Sequence, residues 1–212
     1  MIDSLFRARQ DAFWDHTGRA LARLGVSANR VTLGALGLSA ANTLLFLWHR
    51  NPLVYGVALA FTELLDNVDG AVARVTGSKS REGAFLDAVT DRYKEVFSLL
   101  AVAFVTREWI AGFAAVTGSL LVSYHQARAT AEGAPRASFG IDIFERFERV
   151  AALVLGLVLC RLLSPTVFFG HDALFASVVI IGIFSHLTAL QRWARAIRIL
   201  RDLDAADRER GA

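Results

Sequence analysis

The chain has few of the residues that staple or interrupt a fold. A single cysteine, Cys160, excludes an intramolecular disulfide. It sits in an apolar run and reads as a small packed hydrophobe. The three prolines, Pro52, Pro135 and Pro165, fall where apolar stretches end, as helix breakers should. No Pro/Ser-rich linker or low-complexity tract divides the sequence, so one domain over residues 1–212 is expected. The five histidines are scattered without metal-ligand spacing. His125 and His186 lie in apolar stretches and read as packed, hydrogen-bonded side chains. The first 25 residues contain neither an apolar core segment nor a small-residue cleavage site, so they do not read as a signal peptide.

Charge is also scarce, at 20% of residues, while 54% are hydrophobic and the mean hydropathy is +0.42. A soluble domain of this length does not need so much apolar sequence. A membrane-spanning helix needs about 20 mostly apolar residues. Windows of that kind occur at 29–49, 53–74, 83–105, 108–130, 147–168 and 172–193, which predicts an all-α polytopic membrane protein with six transmembrane helices. Ahead of them, residues 1–25 interleave Leu5, Phe6, Phe13, Trp14, Leu21 and Leu24 with Arg, Asp and Gln. That pattern predicts an amphipathic helix lying in the membrane interface. Residues 29–193 form the expected core, and 194–212 a cytosolic tail.

The basic residues orient these spans. Eighteen of the lysines and arginines fall before span one, between spans two and three, between four and five, or after six. Three, Arg50, Arg107 and Arg161, fall on the other side, and Arg92 and Lys94 lie inside span three. Positive residues are retained on the cytosolic side, so both termini are expected there, at the cell (inner) membrane. The pI of about 9.5 then points to anionic lipid headgroups rather than nucleic acid.

The segment that conflicts with a membrane is 63–95, "ELLDNVDGAVARVTGSKSREGAFLDAVTDRYKE". Asp66 and Asp69 are spaced i, i+3 and share a helix face; Gly83, Asp87 and Asp91 form a second stripe at i, i+4, i+8. A turn at "TGSKS", suited by Gly77, folds the two helices antiparallel and sets 66 opposite 91 and 69 opposite 87. Each aspartate at the centre of a spanning helix costs about 2.5–3.5 kcal/mol. Four together need compensating cations, and carboxylate oxygens suit Mg²⁺ or Mn²⁺. Gly70 and Ala73 beside the acids leave room for a flat group, and Arg74 offers a guanidinium suited to phosphate. Acids, small platform and arginine together suggest a metal-bound diphosphate attached to a planar base.

The pattern Asp66-x2-Asp69-Gly70-x2-Ala73-Arg74-x8-Gly83-x3-Asp87-x3-Asp91 resembles the full motif of the CDP-alcohol phosphotransferases, with no position missing. The resemblance implies transfer of a phosphatidyl-type group from a CDP-linked lipid to an alcohol, with release of CMP, in a homodimeric membrane enzyme. It implies that Asp66, Asp69 and Asp87 bind two divalent metals, and that Asp91 both contacts metal and acts as general base. By the same match Asp66, Gly70, Ala73, Arg74 and Ser80 hold the CDP part. Asn29 and Thr32 match a Pro-Asn-x-x-Thr segment in which Ala28 replaces proline, and Thr32 lines the nucleotide site. "SYHQARATAEG" (123–133) and "ERFER" (145–149) resemble segments of bacterial and archaeal phosphatidylinositol phosphate and archaetidylinositol phosphate synthases. That match implies a pocket of Arg128, Arg146 and Arg149 for the acceptor's phosphate. Gln126 stands where the pattern has lysine, and Thr130 where it has glutamate, so glycerol 3-phosphate or another alcohol is the alternative acceptor. An ion transporter is the alternative of a different class, since intramembrane carboxylates mark ion paths; no inverted repeat supports it.

Overall fold

The computed structural model describes residues 14–135, 139, 142–163 and 172–210. Leu5, Phe6 and Phe13 of the expected interfacial helix, Arg136, Pro165, the end of the fifth expected span and residues 211–212 lie outside the described residues. Among those described there are seven helices and no strand. The first, α1, covers 14–23. The others are α2 (Ala28–His49), α3 (Pro52–Val75), α4 (Arg81–Thr106), α5 (Trp109–Ala131), α6 (Arg146–Leu162) and α7 (Ala173–Arg210).

The expected spans coincide with α2 to α7 to within a few residues, except at two ends. Helix α6 stops at Leu162. Helix α7 runs on to Arg210 through the segment expected as a tail. Residues 194–210 are rich in Ala, Arg, Leu and Asp and contain no glycine or proline, so nothing in them stops a helix. By length and composition alone, α2 and α7 are long and apolar enough to cross a membrane. The acids and bases of α3 and α4, and the polar end of α5, dilute theirs.

The chain divides into two compact units, 1–98 and 99–212. In the first, α2 packs against α3. The connection is tight: Arg50 adopts a left-handed φ of 52°, and Asn51 caps α3 by accepting from the Leu53 amide at 3.1 Å, ahead of Pro52. Phe46 and Tyr55 stack at 4.2 Å across it. The turn after α3 contains Gly77 at φ 66°, a left-handed conformation that costs glycine little.

In the second unit α7 packs against α5 and α6. Small residues let the backbones approach: a Cβ on Gly118 of α5 would lie 2.8 Å from Cβ of Ser185. His125 contacts the carbonyl of Ala189 through Nδ1 at 2.9 Å, and His186 touches Thr117, so both histidines are packed and bonded as expected. Cys160 is half-buried, with its thiol donating to the Leu157 carbonyl.

The strongest polar tie here is a buried one. Arg192 of α7 donates from Nε to Asp142 Oδ2 at 2.6 Å, and from Nη1 to Gln126 Oε1 at 2.9 Å and the Val122 carbonyl at 2.8 Å. Arg195 reaches the other Asp142 oxygen at 3.3 Å. Both arginines belong to the group expected on the cytosolic side after the last span, and both contact a buried carboxylate. Removing that carboxylate strands a buried guanidinium, which costs about 3–5 kcal/mol. Asp142→Ala is therefore expected to lower the thermal midpoint of the detergent-solubilised protein steeply, and Asp142→Ala with Arg192→Met to recover much of the loss.

Candidate active site

The first unit places a buried lysine between the two acidic stripes. Lys94 of α4 is 1% exposed. Its ammonium bonds Asp66 on α3 and lies 3.2 Å from Asp91 Oδ1 on its own helix. One buried cation thus touches the innermost aspartate of each helix, in the register that sets 66 opposite 91. Asp69 and Asp87 line a single cavity of about 350 Å³. Among the described residues no three acidic, histidine or cysteine side chains approach closely enough to hold an ion as they stand. Asp66 and Asp91 thus share a lysine, while Asp69 and Asp87 line the cavity.

Asp69 is held in place by its neighbours. Its Oδ2 accepts the Thr32 hydroxyl of α2 at 2.6 Å, and its Oδ1 accepts the Gly70 amide at 2.5 Å. Charge-assisted bonds of this kind are short and strong, and they fix the carboxylate's direction. Thr32 is itself buried, so α2 contributes to the site through this one contact.

The cavity is walled by Gly70, Ala73 and Arg74 of α3, by Ser80, Gly83 and Asp87 at the start of α4, and by Asn29 and Thr32 of α2. Every nucleotide-site residue expected from the motif lines it except Asp66. Ser80 caps α4, accepting the Gly83 amide at 2.9 Å. A Cβ on Gly83 would crowd Ser80 Oγ at 3.2 Å and Asn29 Oδ1 at 3.3 Å, so the site packs tightly around this glycine and those side chains would have to shift to admit a larger residue. Gly70 differs: a Cβ there would meet only Arg74 Nη1, at an ordinary 3.6 Å. Internal packing does not require glycine at 70. Its open face turns to the cavity, where a side chain would occupy space left for a ligand.

Arg74 is oriented from a direction the sequence did not reveal. Asp15 of α1 accepts from its Nε at 3.2 Å and from its Nη2 at 3.1 Å. Helix α1 reaches this position because Gly18 is buried against the backbone of α3, where a Cβ would lie 2.8 Å from the Ala71 carbonyl carbon. Both nitrogens reach the same Asp15 oxygen, Oδ1, which aims the guanidinium while leaving it about one-third exposed at the cavity. Glu95, whose role the motif leaves open, pairs with Arg92 at 3.3 Å.

The expected acceptor arginines lie in the second unit. Arg128 is exposed and paired with Glu132. Arg149 is buried and donates to the Phe144 carbonyl at 3.3 Å. Arg146 is half-buried at the start of α6, where Glu148 accepts the Glu145 amide at 3.0 Å. Gln126 is engaged by Arg192, as described above. A lysine at 126 would bring an ammonium against that guanidinium, which gives the departure from the family pattern a structural cause.

The donor set fits divalent cations in its chemistry: oxygen ligands only, on two rigid helices, with a lysine ammonium already accepted between two of them. The cavity beside it fits a planar group carrying phosphate, with an open helix face at Gly70 and a presented guanidinium.

Comparison with known proteins agrees with this geometry. The family model described as CDP-alcohol phosphatidyltransferase matches residues 26–186. The archaetidylinositol phosphate synthase of Pyrococcus horikoshii is 32% identical over 181 residues, 84% of this chain and 87% of that protein. The phosphatidylinositol phosphate synthase of Mycolicibacterium smegmatis is 32% identical over 188 residues, 82% of this chain and 79% of that one. The crystal structure of Mycobacterium tuberculosis phosphatidylinositol phosphate synthase with CDP-DAG bound superposes with a TM-score of 0.75 at 26% identity, covering 86% of this chain and 92% of that one. The same enzyme in complex with manganese and citrate gives the same TM-score. The chain belongs to the CDP-alcohol phosphatidyltransferase family, and it is an all-helical, membrane-associated transferase of phospholipid biosynthesis.

Proposed function

We propose that this enzyme transfers a phosphatidyl group from a CDP-linked lipid such as CDP-diacylglycerol to an alcohol, releasing CMP, with Mg²⁺ or Mn²⁺ held by Asp66, Asp69, Asp87 and Asp91. The observation that carries this reading is the cavity at the head of α3 and α4. It is walled by the motif's small residues and Arg74, and it is open at a glycine that internal packing does not require. A relative bound to CDP-DAG and one holding manganese support the same assignment.

The chain's own groups divide the work. Gly70 and Ala73 let the cytidine approach the backbone of α3, and Ser80 and Thr32 supply hydroxyls at its rim. Arg74, aimed by Asp15, receives the diphosphate. Divalent ions held by Asp66, Asp69, Asp87 and Asp91 would supply the remaining positive charge at the diphosphate. The acceptor's oxygen bonds to the phosphatidyl phosphorus. The bond from that phosphorus to the bridging oxygen breaks, and its electron pair leaves with CMP. Asp91 takes the hydroxyl proton as the new bond forms, and placement of the reacting atoms contributes most of the acceleration.

Inositol phosphate is the acceptor suggested by the relatives' names and by Arg128, Arg146 and Arg149. Glycerol 3-phosphate is the second reading, favoured by the absence of an ammonium at 126, where the Gln126 oxygen is taken by Arg192. Family membership and the nucleotide-shaped cavity favour group transfer over ion transport. The six apolar segments, the amphipathic start and the arginine asymmetry support six spans in the inner membrane, an interfacial N-terminal helix and cytosolic termini. We take residues 1–212 as one catalytic domain acting as a homodimer.

Purified protein supplied with CDP-diacylglycerol, Mn²⁺ and a panel of alcohols is expected to release CMP with inositol phosphate, and the lipid product can be identified by mass. Asp91→Asn is expected to slow turnover by about 10²-fold or more while retaining donor binding. A wild-type protein that releases no CMP with any alcohol contradicts the assignment. Gly70→Ala separates ligand space from folding. It is expected to leave stability unchanged or raised by about 0.5–1 kcal/mol, because alanine suits a helix better, and to abolish donor binding measured by calorimetry.

A further inference from the structure

Lys94 is one of only two lysines in the chain; the other, Lys79, is exposed at the turn before α4. An ammonium leaves water only where anions replace its hydration shell. For Lys94 those anions are Asp66 from α3 and Asp91 from its own helix. Neighbouring Glu95 pairs with Arg92 at 3.3 Å. The buried lysine therefore spends its charge on two of the four carboxylates assigned above to divalent ions. Without a cation there, two carboxylates on adjacent helices would repel across a poorly solvated gap, and α3 and α4 would lose their register.

We propose that Lys94 is a tethered counter-cation of the metal site: it bridges Asp66 and Asp91 in the ion-free protein, and its ammonium is displaced when a divalent ion takes that pair. Divalent binding is then an exchange of cations rather than the filling of a bare acidic pocket. Because the ammonium is covalently attached beside its partners, its effective concentration is high, and it weakens the apparent affinity for the ion. In return the ion-free protein keeps its two acidic helices together. Lys94 acts through Asp66 and Asp91, so it is a positioning residue and not a catalytic one. The proposal rests on the assignment of Asp66 and Asp91 to divalent ions.

Mn²⁺ titration of the full-length protein in detergent, followed by the electron paramagnetic resonance of free Mn²⁺, tests it. Lys94→Met keeps most of the stem and removes the charge. It is expected to bind Mn²⁺ about tenfold or more tightly than wild type, because a like charge has left the site. Its melting point is expected to fall in EDTA and to recover in saturating Mn²⁺, whereas Lys94→Arg retains wild-type stability in EDTA. Equal or weaker Mn²⁺ binding by Lys94→Met overturns displacement and leaves Lys94 as a structural ion pair. Absence of Mn²⁺ binding in both proteins sinks the metal assignment itself and the Lys94 proposal with it. If Lys94→Met does not fold, wild type suffices. With lysine ¹³C-labelled at Cε, the resonance that remains in Lys79→Arg is expected to shift on saturation with diamagnetic Mg²⁺, and an unshifted resonance overturns the proposal.

Discussion

Negative charge placed in apolar sequence must be met by positive charge or by donors, and most of this structure's first unit follows from that. Four aspartates inserted on two helices cost on the order of 10 kcal/mol if left bare. The chain meets each one differently. Lys94 answers Asp66 and Asp91, Thr32 and the Gly70 amide answer Asp69, and Asp87 faces a cavity that it shares with Arg74. These contacts bring α2, α3 and α4 to one place. The cavity that results is lined by Gly70, Ala73, Arg74 and Ser80, the residues proposed to receive the nucleotide diphosphate. Binding chemistry and helix packing are thus two consequences of the same charge balance.

The second unit obeys the same rule with the signs reversed. Arg192 is buried and is matched by Asp142, Gln126 and a backbone carbonyl. Gln126 therefore serves the packing of α7, at a position where the relatives' pattern suggests an acceptor contact. A substitution that reads as loss of substrate recognition is, in three dimensions, also the satisfaction of a buried guanidinium. The same chain thus carries an acid-rich pair of helices at its proposed donor site and an arginine-centred knot between its later helices.

Much of this was legible in the sequence because the signals are local. Apolar runs of about 20 residues set the helices, and Asn51-Pro52 and Gly77 mark two of the turns between them. The i, i+3 and i, i+4 spacings predict facing stripes, and in the structure Asp66 and Asp91 share one lysine across α3 and α4 while Asp69 and Asp87 line one cavity. The sequence carries no distance between helices, so it did not show that a lysine stands between Asp66 and Asp91. The missed contacts are all long-range: Asp15 with Arg74, Lys94 with Asp66, Asp142 with Arg192. Nothing in local spacing links residues so far apart. Lys94 itself stood out as surplus charge in span three, and its i, i+3 distance from Asp91 was the available clue. The polarity of 194–210 suggests a tail, and the lack of glycine or proline there lets that segment continue α7 as a helix to Arg210.

The central claim is that α3 and α4 hold divalent ions between Asp66, Asp69, Asp87 and Asp91, beside a nucleotide diphosphate on Arg74. Anomalous diffraction from crystals grown with Mn²⁺ and a CDP-linked lipid tests it most directly. The account predicts manganese peaks within coordination distance of those carboxylates, with the diphosphate adjoining them and the cytidine over Gly70. Manganese bound elsewhere, or a nucleotide seated away from α3 with the four carboxylates uncoordinated, would contradict it.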